Sequence, residues 1–344
     1  MTRYIIRRLL QAIPLIFVIS VILFVLMQSV SDPLATMGGR TVTRKADRER
    51  LTRQLGLDKP LYMQYLYWLI GNDWTKTDVD GDGVPETPGR RRGVLRGDFG
   101  TSLVNRGKPV LQVIWDRLPN TLLLMGISEA VIILGALVVG LYSALRQYSL
   151  LDQVATAISF FGYSMPIFFL ALMSIYIFAV NFRRWGLPYL PTVGMFDPQV
   201  GKTWGQVALH MILPVFSLSF MYFAAYSRYI RSTMLEVLNQ DYIRTARAKG
   251  LPRSMVIFVH ALKNASLPVV TVVGLDLPFL LAGAIVTERI FAWPGMGRLF
   301  LDHVGRGDTP VVMGILMLIA VAVVVFQLLT DVTYAWLDPR IRYN

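Results

Sequence analysis

Four carboxylates, Glu129, Asp276, Glu288 and Asp331, lie in or near long apolar runs, and a second acidic group sits in the polar stretch "DVDGDGVPE". At membrane depth an ionisable side chain is costly, so such groups by default suggest the proton relay of a proton-coupled carrier. In the polar stretch Asp78, Asp80, Asp82 and Gly83 fall on positions 1, 3, 5 and 6 of a calcium loop, with Glu86 at position 9. Position 12, which should bring a bidentate Glu, is Gly89, so a structural calcium site competes with a solvated acidic turn. Other chemistries lack their residues. Cysteine is absent, and the three histidines, His210, His260 and His303, are spread too far along the chain for an obvious metal site. No nucleophile–base pair and no H-E-x-x-H motif stands out, which leaves an enzyme with little support. A G-x-x-x-x-G-K-[ST] loop is also missing, so this chain cannot cradle ATP phosphates by that device.

The elements that would position these residues are membrane helices. Of 344 residues, 54% are hydrophobic and only 16% charged, which points to a polytopic membrane protein. The net charge of +12 clusters at the ends of apolar runs and in one long loop, which favours anchoring and topology over nucleic acid. Hydropathy predicts six spans, near Leu9–Val30, Thr121–Leu145, Val154–Ala179, Val207–Tyr226, Leu267–Val286 and Val311–Leu329. The first is too long for a usual secretory h-region and reads as a retained helix. Arg3, Arg7 and Arg8 hold its start in the cytoplasm, and an even number of spans returns the C-terminus to the same side. Prolines fall in several spans (Pro14, Pro166, Pro214, Pro268 and Pro278), with Ser164 placed to satisfy backbone freed near Pro166.

The expected organisation is therefore all-α: a first membrane helix over 1–30, an external loop region over 31–118 and a five-span core over 119–344. Within the loop, "RKADRERLTRQLGL" predicts a helix ending at Gly56, and "DKPLYMQYLYWLIGN" a second between Pro60 and Gly71. "KPVLQVIWDRLPNT" predicts a short helix leading into the second span.

Between the fourth and fifth spans, about 228–266, the chain stays helical but turns basic: Arg228, Arg231, Arg244, Arg247, Lys249 and Arg253. Asp241 charges the start of one short helix, Gly250 suits its left-handed end, and Pro252 suits the first turn of another. Met255, Phe258, Val259 and Leu262 form an apolar face on that second helix. Such a hairpin could hold anionic lipid headgroups or merely connect two spans. Small residues at the turn and an apolar second face favour docking on a partner protein.

This hairpin resembles the EAA loop of ABC-importer permeases, whose pattern is Glu-Ala-Ala, three residues, Gly, nine residues, Ile-x-Leu-Pro. Thr245 and Ala246 fall on the alanines, Gly250 on the glycine, His260 on the isoleucine and Leu262 on the leucine. Arg244 stands for Glu and Lys263 for Pro, and these departures resemble the oligopeptide/dipeptide/nickel branch. "GLDKPLYMQY", "GDFGTS", "ERIFAWPGMGRLF" and "DVTYAWLDPRIRY" resemble that branch too, in order, over nearly the whole chain. About Asn72–Arg92 is where the pattern fails, since the acidic glycine segment replaces a short spacer.

The resemblance implies a non-catalytic permease subunit with a large first periplasmic loop, in a bacterial or archaeal cytoplasmic membrane, both termini cytoplasmic. Its implied partners are a second permease subunit, two ATPase subunits carrying ATP and magnesium, and an extracytoplasmic substrate-binding protein. The cargo implied is di- or oligopeptide, with nickel, glutathione or another small solute as alternatives. Coupling to the ATPase would fall to Arg244, Thr245, Ala246, Gly250, His260 and Leu262. The turn holding Phe291, Trp293, Pro294, Gly295 and Gly297 is expected to serve an outer gate through aromatic bulk and flexible glycines.

Overall fold

A computed structural model of the protein describes residues 2–30, 45–79, 84–105 and 107–337. Helices carry nearly all of it. After α1 (Thr2–Val30) come α2 (Lys45–Leu55), α3 (Leu61–Ile70) and α4 (Val110–Trp115). Then follow α5 (Leu118–Leu145), α6 (Leu150–Ser164), α7 (Ile167–Ile175), α8 (Trp204–Leu238) and the short α9 (Asp241–Ala248). The chain closes with α10 (Leu262–Ile290), α11 (Met296–Val304) and α12 (Thr309–Leu337). Among the described residues the only sheet is a ribbon of β1 (Lys76–Thr77) and β2 (Thr87–Pro88), paired antiparallel with Thr77 opposite Thr87.

Five described helices are long and apolar enough to cross a membrane, and six if the bent pair Arg253–Ser266 and Pro268–Leu277 forms one span. That pair bends by 45° where Pro268 removes a backbone donor. The third span is less simple than its hydropathy suggests. Pro166 leaves Met165 extended at φ −91°, ψ 129°, so α6 stops and α7 starts anew. Ser164 Oγ donates to the Phe160 carbonyl at 2.8 Å, the local rescue expected beside that proline. From α7 the helix widens through a π turn at Tyr176–Asn181 and runs on to Arg184.

Contacts divide the chain into two units. One comprises Met1–Arg8, Asn120–Arg298 and Val323–Asn344; the other Leu9–Pro119 and Leu299–Ala322. The first is built round α8, which packs on α6, α7 and α10. At 35 residues and 1.5 Å per residue, α8 is roughly 50 Å long, far more than a bilayer core needs. Its C-terminal end leads directly into α9. Met125, Ile132, Leu218, Tyr226, Ile230 and Met234 fill the core between these helices.

In the second unit α3 lies against α1: Ser20 and Tyr65 share a hydrogen bond of 2.8 Å, and Phe24 packs edge-on to Tyr65. Pro60 and Gly71 bound α3 as the sequence predicts. The loop 102–104 is held by one buried carboxylate, Asp308. It accepts from Ser102 Oγ at 2.5 Å, Leu103 N at 3.1 Å and Val104 N at 3.2 Å.

Candidate functional site

The basic segment folds into an elbow. Helix α9 is only eight residues long, and its inward side is Ile243 and Ala246, both buried in the core. Burying an Ile side chain fully contributes about 2 kcal/mol, enough to fix so short a helix onto its support. Arg244, Thr245, Arg247, Ala248 and Lys249 face out. Ala246 was expected among the docking residues; the geometry instead turns it inward, because Ile243 and Ala246 are the apolar pair at i, i+3. Arg244 approaches Asp241 at 3.5 Å, but both are well exposed, so the pair contributes little.

Gly250 ends α9 as predicted, at φ +75°. Leu251 N reaches back to Ala246 O at 3.4 Å and Gly250 N to Arg247 O at 3.0 Å, a Schellman ending. A Cβ at this glycine would meet nothing within 4 Å, so the demand for glycine is conformational rather than steric.

After Pro252 a single turn, Arg253–Met255, opens into a π turn at Val256–Ala261 before α10 begins. This leaves most of the expected apolar face exposed, as docking on a partner requires. With one extra residue in the turn, Val256, Ile257 and Ala261 go inward while Met255, Phe258 and Val259 are exposed. His260 is half-buried, and Leu262 packs on the core. Asn264 Nδ2 ties the two arms, donating to Tyr242 Oη at 3.2 Å and His260 O at 2.8 Å. Nothing in the sequence marks Asn264 for that role.

Arg231 also departs from the basic-surface expectation. Its Nε and Nη2 donate to Asp152 at 2.8 and 3.0 Å, and Asp152 further accepts from Tyr148 N. That ion pair locks α6 to the C-terminal part of α8. Arg228 stacks over the Phe160 ring at 5.5 Å.

The "FAWPGMG" turn is a packed latch. Phe291 and Trp293 are buried, and Trp293 Nε1 donates to Asn120 O at 3.0 Å while Asn120 Nδ2 donates to Pro294 O at 2.8 Å. Glu288, with no exposed surface, accepts from Thr121 Oγ1 at 2.6 Å and Arg298 N at 3.0 Å. Thr121 Oγ1 in turn accepts from Met296 N at 2.7 Å. A Cβ on Gly295 would overlap the Glu288 carboxylate, and one on Gly297 the Ile285 backbone. These glycines allow close approach, where the sequence suggested flexibility.

Of the four acidic residues considered for calcium, Asp78 and Glu86 flank the rung Thr77–Thr87. Asp80 and Asp82 lie outside the described residues. Among the described residues no three His, Asp or Glu side chains gather as a metal site.

A bundle of five or six helices able to cross a membrane, with a short basic helix following one of the longest, fits a transporter membrane subunit. The chain belongs to the family of binding-protein-dependent transport system inner membrane components: residues 136–343 match that model, and 1–125 the model of its N-terminal part. It is 42% identical over 344 residues to the oligopeptide transport system permease protein AppB of Bacillus subtilis, covering all of both chains. To the dipeptide transport system permease protein DppB of Escherichia coli K12 it is 37% identical, again over all of both. The glutathione transport system permease protein GsiC of Pectobacterium atrosepticum is 36% identical over the full length of both. An inward-facing structure of the MetNI methionine ABC transporter shares the fold, with a TM-score of 0.51 and 18% identity over 66% of this chain and 97% of that one.

Proposed function

We propose that this permease moves di- or oligopeptides inward, as one of two membrane subunits driven by two ATPase subunits and fed by a substrate-binding protein. The observation that carries the peptide reading is end-to-end similarity to permeases named for oligopeptide and dipeptide transport. Similarity to a glutathione permease keeps that tripeptide as the second reading. Both termini face the cytoplasm, because the short loops that would lie inside hold the denser basic clusters.

The elbow of α9 and its glycine turn is the contact to an ATPase subunit. Arg244, Thr245 and the Gly250 turn form the exposed side, His260 borders it, and Met255, Phe258 and Val259 add an apolar patch. Ala246 and Leu262 position this surface from within. An elbow anchored by Ile243 and Ala246 moves with the spans, so closure of the ATPases on ATP shifts the bundle between inward-open and outward-open packings. The Phe291–Gly297 latch closes the outer side in one of those packings. Asp78, Asp80, Asp82 and Glu86 are proposed to hold a structural calcium ion. A drop in the melting temperature of the complex on chelation supports that, and an unchanged temperature removes it.

Uptake into proteoliposomes tests the main reading. Accumulation should need ATP and the binding protein and should survive a protonophore. Uptake that persists without ATP and collapses with the protonophore selects the proton-coupled carrier instead.

A further inference from the structure

Three spans bring two carboxylates together inside the larger unit. Glu129 lies on α5 and Asp276 on α10, while Tyr222 and Tyr226, one turn apart on α8, feel the charge of both. Glu129 is 8% exposed, yet neither of its carboxylate oxygens has a hydrogen-bond partner among the described residues. The buried hydroxyl of Ser128 beside it is unpartnered as well. The neighbouring charge acting on Glu129 is that of Asp276, of like sign. Met125, Ile132 and Leu218 make the surrounding packing apolar. Asp276 and Tyr222 are only half-buried, so this cluster is not sealed within the core.

The other buried carboxylates among the described residues are matched: Asp152 by Arg231, Asp308 by Ser102, Glu288 by Thr121. Glu129 breaks that pattern, and a buried acceptor left so is a marked cost. What this carboxylate pair lacks is a positive group rich in N–H donors. Two aromatic rings beside it add a favourable surface for a cation. We propose that Glu129 and Asp276, with Tyr222 and Tyr226, hold the ammonium group of a peptide in transit. The assignment rests on the peptide reading above. An ammonium brings three donors and a compact charge, enough to satisfy both carboxylates at once. Holding the one group such peptides share leaves their side chains unread, which suits a path for varied sequences.

The test uses the purified complex with its partner subunits and dicyclohexylcarbodiimide, which reacts with reachable buried carboxyls; mass spectrometry reads modification of Glu129 and Asp276. Millimolar trialanine should slow labelling about tenfold or more, while N-acetyl-trialanine should not. Equal labelling with either peptide overturns the site. So does an absence of labelling, because a sealed core admits no ligand. Trialanine uptake by proteoliposomes, run in parallel, separates the readings. Uptake without protection removes the ammonium site alone; neither uptake nor protection removes the peptide reading and this ligand with it. Glu129→Gln should lower uptake about tenfold while Glu129→Asp keeps most of it, and equal uptake by the two variants contradicts the proposal.

Discussion

At the scale of single residues, two buried ionisable groups outside the spans make pH-dependent predictions. The hydrogen bonds and charge of Arg231 hold the Asp152 carboxyl below its ordinary range. A depressed carboxylate stabilises above its unfolded value of about 3.9, and that stability is lost as pH falls through the lower folded value. Thermal midpoints of the detergent-purified complex should thus show an acid decline below about pH 4 that Asp152→Asn reduces. At neutral pH the same variant should cost about 1–3 kcal/mol, because it leaves a half-buried Arg231 without its charge partner. His303 acts in the same direction, in a higher pH window. Burial pushes its imidazole down, against the pull of Asp308. Below the unfolded value of about 6.5 the unfolded chain binds the extra proton, so stability falls as pH drops. Replacing His303 with Gln should flatten the slope between pH about 6.5 and 5; an unchanged slope assigns it to another group.

The elements show what the sequence could and could not reveal. Helix ends at Gly56, Gly71 and Gly250 were legible, because each needs a positive φ that glycine adopts without strain. The α9 elbow was legible for the same reason. The π turn at Val256–Ala261 was not, because composition carries no signal for one extra residue in a turn. Nor could spacing show that Arg231 belongs to Asp152, 79 residues away, instead of to the basic surface. In the Phe291–Gly297 turn the glycines announced themselves, but their reason, close approach to Glu288 and Ile285, is tertiary. Gly250→Val should therefore insert and assemble, yet lose uptake, since a β-branched residue at φ +75° costs about 1–2 kcal/mol and distorts the elbow. Gly250→Asn, which tolerates that conformation better, should keep part of the uptake. Full uptake by the Val variant would remove the elbow from the coupling path. Gly295→Ala should weaken the latch by about 1–3 kcal/mol, seen as a lower melting temperature, because the new methyl displaces Glu288 from Thr121.

For the whole molecule, the membrane class was visible in composition, and the family in motifs spread from one end of the chain to the other. On the proposed reading, function follows from a division of labour: a helical bundle that switches between two packings, and an exposed helix of eight residues through which an ATPase partner biases them. The most direct measurement places a photo-crosslinking residue at Thr245 in the native membrane, with Ile243 as the buried comparison. Light should join the Thr245 position to an ATPase subunit in a yield that changes with ATP, and the Ile243 position only to its own chain. If the Thr245 position captures no ATPase subunit in any nucleotide state, force does not enter this transporter through α9.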